Sequence, residues 1–271
     1  MTKAGILCVQ YNPILGDKSG NLEKAEEIIN QYGDDNKLDL VVLPEFFSTG
    51  ICDKSFINDP EDENGGDTIK VVQGIAKRFN TNIIAGTVIR LVDGKRYNTS
   101  FAINRNGETI AKYDKIHLYN FAGGNEDKFI TAGKEVVVAD FDFAKVGMSI
   151  CFDIKFPMHY RKLIQQGAEI IASPSGWCTL SAFSEKVKSD FVKTWQGMNM
   201  CRATETLTYF VTANQVGLAD KELCCVGNSM ITDPIGAIVA GADTYESGVY
   251  GEIDLGIVRD FKKLYPVAEM E

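Results

Sequence analysis

Between Val146 and Trp177 the chain reads VGMSICFDIKFPMHYRKLIQQGAEIIASPSGW, and no other stretch restricts the possible folds as tightly. Val146 to Ile150 has the make-up of a buried strand. An abrupt turn carrying Cys151 follows, then a helix in which Phe156, Tyr160, Leu163 and Ile164 recur on one face. Gly167 stands where a helix C-terminus favours a left-handed residue, and Ala168 to Ala172 reads as a second buried strand. The pattern is a βαβ unit with a thiol at its bend. A side chain there leaves the sheet just ahead of a helix N-terminus, whose dipole and backbone N–H groups stabilise anions. Cys151 is therefore a candidate nucleophile. Inert packing is the commoner fate of a single cysteine beside a strand, so the reading needs partners.

The rest of the chain repeats the alternation of strand and helix. Ala4 to Val9 is a strand. A helix after Ser19 places Leu22, Ala25, Ile28 and Ile29 on one face, and Leu38 to Leu43 is a buried strand ending at Pro44-Glu45. Asp53 to Asp67 reads as a solvated acidic loop, with Asp67 capping a helix that carries Ile69, Val72, Ile75, Ala76 and Phe79. Asp93-Gly94 and Asn106-Gly107 mark tight turns between three antiparallel strands, Ile83 to Leu91, Arg96 to Asn104 and Glu108 to Tyr113, the last of which delivers Lys115. A glycine-rich loop (Ala122 to Asn125) precedes a strand over Glu135 to Phe143. Beyond Trp177 come a helix from about Ser184 to Glu205, a strand at Leu207 to Ala213, a hairpin around Asp233 to Gly236 and a strand at Gly248 to Ile253. With no repeat or linker, residues 1–271 read as a single α/β domain.

Composition narrows the function classes. A formal charge of -9, with no cluster of Lys and Arg, argues against nucleic acid or an anionic membrane as the partner. The apolar run at the N-terminus is too short for a signal peptide and no stretch is long enough to span a bilayer, so the expected location is cytoplasmic. Seven scattered cysteines without a CxxC pair, and two histidines (His117 and His159), predict neither a disulfide framework nor a structural zinc site. No metal or organic cofactor is implied.

Glu45, Lys115 and Cys151 each stand at the end of a strand in this reading, where one sheet could bring them to a common rim. Taken singly they could be a surface acid, a salt-bridge partner and a core thiol. Together they offer a base for the thiol proton, a cation for the thiolate and for a developing oxyanion, and a nucleophile. Such a set attacks a carbonyl or nitrile carbon, expels an amine and leaves a thioester for water to hydrolyse. A Cys-His arrangement fits less well, because His117 would have to replace the neighbouring lysine.

The segments around these residues, LPEFFSTG, KYDKIHLY and SICFDIKFP, resemble the three signatures of the nitrilase superfamily of carbon–nitrogen hydrolases. AGILCVQYNP, NEDKFITAG, YRKLIQQGAEIIASPSGW, CRATETLTYFVTANQVG and GNSMITDPIGAIV extend the resemblance over nearly the whole chain. It implies a four-layer α-β-β-α sandwich that forms homodimers or higher homo-oligomers. It also implies Glu45 as general base, Lys115 as oxyanion-stabilising cation, Cys151 as nucleophile and the backbone N–H of Phe152 in the oxyanion hole. Glu126, seven residues before Gly133, matches a second family glutamate that would orient Lys115 or the substrate.

CFDIKFP resembles the form found in the Nit and ω-amidase-like branch, with Phe152 and Lys155 in place of the usual Tyr and Arg. The implied substrate is a small carboxylate-bearing amide, hydrolysed with water to release ammonia. Carbamoyl-amide or nitrile hydrolysis by the same triad, or a non-catalytic scaffold, are the alternatives. Lys155 could pair with a substrate carboxylate, and Trp177 and Cys178, with Phe183 and Trp195, could line the acyl pocket.

Overall fold

The computed structural model describes residues 2–120 and 124–270. In β1 (Lys3–Gln10) every residue after Lys3 is buried, with Ile6 and Cys8 facing one hydrophobic cluster and Leu7 and Val9 facing another. A strand with apolar residues on both faces requires a layer on each side. One of these layers starts with α1 (Lys18–Gly33), whose N-terminus is capped by Asp17 accepting the Gly20 N–H at 3.0 Å. There follow β2 (Leu40–Val42), α2 (Asp53–Asn58), α3 (Gly66–Phe79), β3 (Asn82–Ile84), β4 (Val88–Val92), β5 (Lys95–Ile103) and β6 (Thr109–Asp114). The second half contributes α4 (Glu126–Phe129), β7 (Val137–Asp140), β8 (Lys145–Met148), α5 (Pro157–Gln165), β9 (Ile170–Ser175), β10 (Cys178–Leu180), α6 (Glu185–Thr206) and β11 (Tyr209–Asn214). The chain ends through β12 (Val216–Leu218), β13 (Leu223–Val226), β14 (Met230–Thr232), β15 (Ile238–Gly241), β16 (Ser247–Asp254) and α7 (Leu255–Leu264).

The first sheet runs β16-β1-β2-β3-β5-β4, with β6 also on β5, and the second runs β15-β14-β11-β9-β8-β7. Ile6, Leu40 and Val42 of the first meet Val146, Met148, Ile170 and Val211 of the second in a shared core. Behind the first sheet, Leu7, Val41 and Ile83 pack on Ile28 of α1 and Val72 of α3. Behind the second, Ile171 and Phe210 pack on Leu163 of α5 and Trp195 of α6. The order is helix, sheet, sheet, helix, the four-layer sandwich expected. Each fully buried Ile, Leu or Phe contributes roughly 1.5–3 kcal/mol, so these three interfaces hold the layers together far more than helix propensity does.

Several local expectations are corrected. The strand foreseen over Ile83 to Leu91 is interrupted at Gly86, which has φ +43°, although both pieces pair with β5. A Cβ at Gly86 would lie 2.2 Å from the Pro44 carbonyl oxygen, so glycine lets the break pack against the turn that carries Glu45. The acidic loop contains α2, and α3 is capped by Gly65 rather than Asp67, which sits in its first turn and complements the dipole there. The three short strands β10, β12 and β13 form a separate sheet that was not foreseen, nor was α7, which buries Leu255 and Val258. Ala122 and Gly123 of the expected glycine-rich loop lie outside the described residues. Among those described, no helix is long and apolar enough to cross a membrane.

Candidate active site

Glu45 is the third residue after β2, Lys115 directly follows β6, and Cys151 opens a 3-10 turn (Cys151–Lys155) after β8. The three strand ends do meet, but they come from two sheets rather than one. Glu45 and Lys115 leave the first sheet and Cys151 leaves the second, and face-to-face packing brings both rims to the same place. Cys151 has φ +43°, a left-handed conformation that costs a non-glycine residue about 1–3 kcal/mol and persists only where its surroundings impose it. The surroundings here are provided by Asp153. Its buried carboxylate accepts the Ile150 N–H at 2.9 Å, the Tyr113 hydroxyl at 2.6 Å, and from His117 both the backbone N–H at 3.1 Å and Nδ1–H at 2.6 Å. Tyr113 and His117 flank Lys115 by two residues on either side, so one carboxylate ties the turn that carries Cys151 to the segment that carries Lys115. His159 approaches the same group, and ligand atoms of His117, Asp153 and His159 lie within 4.8 Å of one another. With four donors already on the Asp153 oxygens, this cluster acts as a brace between the two segments.

At the centre, Lys115 Nζ donates to Glu45 Oε1 at 2.8 Å and to Glu126 Oε1 and Oε2 at 3.0 and 2.8 Å. Gly176 donates its N–H to Glu45 Oε2 at 3.0 Å, and Tyr119 its N–H to Glu126 Oε2 at 2.6 Å. Asn98 Nδ2 donates to Oε1 of both glutamates, at 2.9 Å to Glu45 and 3.1 Å to Glu126. Glu45, Lys115, Glu126 and Cys151 are all less than a tenth exposed. Burial alone would lower the Lys115 pKa, but the charges of Glu126 and Glu45 outweigh it and hold the ammonium well above its ordinary range. Burial raises Glu126, against the pull of Lys115 and with the push of Glu45. Burial, then the Glu45 charge, pushes the Cys151 thiol well up, with Lys115 and the Gly176 N–H opposing. The resting sulfur therefore keeps its proton, and attack requires a base beside it.

These groups open on a cavity of about 470 Å³. Phe152, Trp177 and Cys178 line it, and Phe152 packs edge-on against Tyr119 with ring centroids 5.2 Å apart. Lys155 does not line it. That side chain is exposed, with Nζ 5.5 Å from the centre of the Trp177 ring, because the 3-10 turn carries it past the rim. Trp195 is fully buried behind Trp177 and stacked on it, and Phe183 reaches the cavity only through Phe191. Cys178 is joined to Cys225 in a disulfide, which the scattered cysteine spacing did not suggest. The two stand directly opposite each other in β10 and β13, a register invisible without those strands.

Asn98, Gly176 and Asp153 were missed by the sequence reading. Asn98 lies in mid-strand, where the low strand propensity of Asn was a weak signal and its burial became visible only in the fold.

The model of the family described as carbon-nitrogen hydrolase matches residues 6–263. A 2-oxoglutaramate amidase of Bacillus subtilis is 29% identical over 263 residues, covering 97% of this chain and 95% of that one. A deaminated glutathione amidase of Synechocystis sp. is 31% identical over 256 residues, covering 91% and 90%. The crystal structure of Saccharomyces cerevisiae Nit3, a member of branch 10 of the nitrilase superfamily, superposes with a TM-score of 0.85 at 25% identity, covering 98% and 95%. The chain belongs to the carbon–nitrogen hydrolase family, and it is an enzyme of that class.

Proposed function

We propose that this carbon–nitrogen hydrolase cleaves the C–N bond of a small carboxylate-bearing amide through a thioester on Cys151, releasing ammonia. The observation that carries the reading is the buried Glu45–Lys115–Glu126 group meeting Cys151 on one cavity wall. Glu45 takes the thiol proton as sulfur adds to the amide carbon. The oxyanion is met by the Lys115 ammonium and the Phe152 backbone N–H, and one such donor is worth about 2.7–4 kcal/mol at the transition state. Protonated Glu45 gives its proton to the departing nitrogen as the C–N bond breaks. It then removes a proton from water, which attacks the thioester and expels the thiolate; that thiolate takes the proton back. Glu126 fixes Lys115 throughout.

The names of the relatives, amidases of 2-oxoglutaramate and of deaminated glutathione, support the carboxylate-bearing class. One observation favours a second reading. The cavity lining includes Asp53, Asp220 and Glu222 and, among the described residues, no cation but Lys115, which suits an uncharged acyl or carbamoyl group. Ammonia release from ω-amides of dicarboxylic acids, uncharged amides, carbamoyl compounds and nitriles decides between them. Turnover confined to the first group supports the carboxylate reading, and preference for the uncharged compounds the second. Silence across the panel would sink both.

We further place the protein in the cytoplasm, as a single domain that assembles into homodimers or higher homo-oligomers. The extent of the family match supports the single domain. The resemblance to the family supports assembly. Sedimentation of the full chain tests the last point.

A further inference from the structure

We infer that Asn98 is a positioning residue for this reaction, its amide acting as a two-pronged donor that keeps Glu45 and Glu126 ionised around a single ammonium; the catalytic half of this rests on the function proposed above. Asn98 is 1% exposed, on β5, and its backbone carbonyl accepts the Lys115 N–H at 2.9 Å. Its two side-chain N–H bonds go to two different carboxylates, Glu45 Oε1 at 2.9 Å and Glu126 Oε1 at 3.1 Å, the same oxygens that Lys115 contacts. The opposite end of the amide, Oδ1, is buried without a partner. A side chain kept only to fill β5 would not retain an unpaired buried acceptor, so the donor end is the part in use.

Charge explains why an amide is suited to this place. Two carboxylates and one ammonium carry a net charge of −1 beside a thiol, and like carboxylates sharing a site tend to hold a proton between them. A proton resting on this pair would remove the base. The groups facing it are Lys115 from the end of β6, the Tyr119 N–H, the Gly176 N–H after β9, and Cys151. Asn98 adds two donors without adding charge. Aspartate would add a third acid, leucine would remove both donors, and serine would keep at most one.

The test has two readouts. Carboxyl-carbon NMR titration of Glu45 and Glu126, assigned with E45Q and E126Q, is run in Cys151→Ala protein with and without Asn98→Leu. The kcat/KM-against-pH profile is measured for wild type, Asn98→Leu and Asn98→Ser. The expected result for Asn98→Leu is a rise of about one pH unit in the carboxylate midpoint, the acid limb of kcat/KM moving up with it, and a loss on the order of 10- to 100-fold near neutrality. Asn98→Ser, smaller and able to keep one donor, falls between and covers the case in which the leucine variant fails to fold. An unchanged midpoint, or a loss of rate with the acid limb in place, overturns the inference. Absence of turnover in wild type would remove the proposed function, while the titration would still report on Asn98.

Discussion

Gly176 donates its backbone N–H to Glu45 Oε2 at 3.0 Å, a bond that joins the loop after β9 in the second sheet to the turn after β2 in the first. Gln215 reinforces the junction by donating Nε2 to the Glu45 carbonyl at 2.6 Å. Glu45 is thus held from the Cys151 side of the sandwich, and its distance from the thiol depends on how the two sheets pack.

A methyl group at position 176 tests that dependence. A Cβ there would stand 2.5 Å from Ile51 Cδ1 and 3.4 Å from Glu45 Oε2, so Ile51 must move while the carboxylate is only just accommodated. Gly176→Ala should lower kcat by about 10- to 100-fold through misplacement of Glu45, with a loss of stability of about 1–3 kcal/mol. Steady-state kinetics and urea melts check both. A variant with wild-type kcat would mean that Glu45 does not need this tether.

Glu45→Gln keeps the shape of the junction but cannot accept a proton. The expected loss is about 10²- to 10⁴-fold in kcat, with the thermal midpoint little changed. Ammonia release at saturating substrate measures it.

Glu126 gives stability a pH signature. Its folded pKa lies above the ordinary 4.5, so between that value and the folded value the native protein holds a proton that the unfolded chain has released. Its contribution to stability therefore falls as pH rises through that window. Glu126→Gln should flatten this slope, read from urea melts across the acid range. An unaltered slope would assign the pH dependence to other groups.

Asp153 carries the opposite sign. Burial would raise its carboxyl, but the donors from His117, Tyr113 and Ile150 prevail and hold it below its ordinary value. Its contribution is present above the unfolded pKa and is lost as pH falls through the folded one. Asp153→Asn must turn an NH₂ toward donors, and should cost about 2–4 kcal/mol in unfolding free energy and lower the rate of Cys151 alkylation. Alkylation at the wild-type rate would show that the turn does not need this brace.

The Cys178–Cys225 bond predicts five free thiols in unreduced, denatured protein. Cys225→Ser should destabilise by about 2–4 kcal/mol. A count of seven would mean that the cysteines face each other unbonded.

The sequence made the strand ends legible because each is a local pattern: apolar runs that stop at Pro44-Glu45, at Lys115 and at Cys151. What surrounds those ends depends on packing between distant segments. Asn98 looked like an ordinary strand position, and Gly176 like the start of a loop; both gain their contacts only when two sheets meet. β10, β12 and β13 are three to four residues long, too short for an alternation to register, and the disulfide and the cavity wall went unseen with them. The place of Lys155 was open for a related reason. Four residues from Cys151 could place a side chain inside or outside the cavity, and in the structure it is exposed, with its ammonium over the Trp177 ring.

The central claim is a covalent thioester on Cys151, and intact-mass measurement during turnover of an ω-amide tests it most directly. The account predicts an adduct of the acyl group on wild-type protein, accumulating when deacylation is slowed and discharged by hydroxylamine, with neither adduct nor ammonia from Cys151→Ala. Ammonia release at the wild-type rate by Cys151→Ala, or turnover in wild type with the acyl group on another residue, would contradict it.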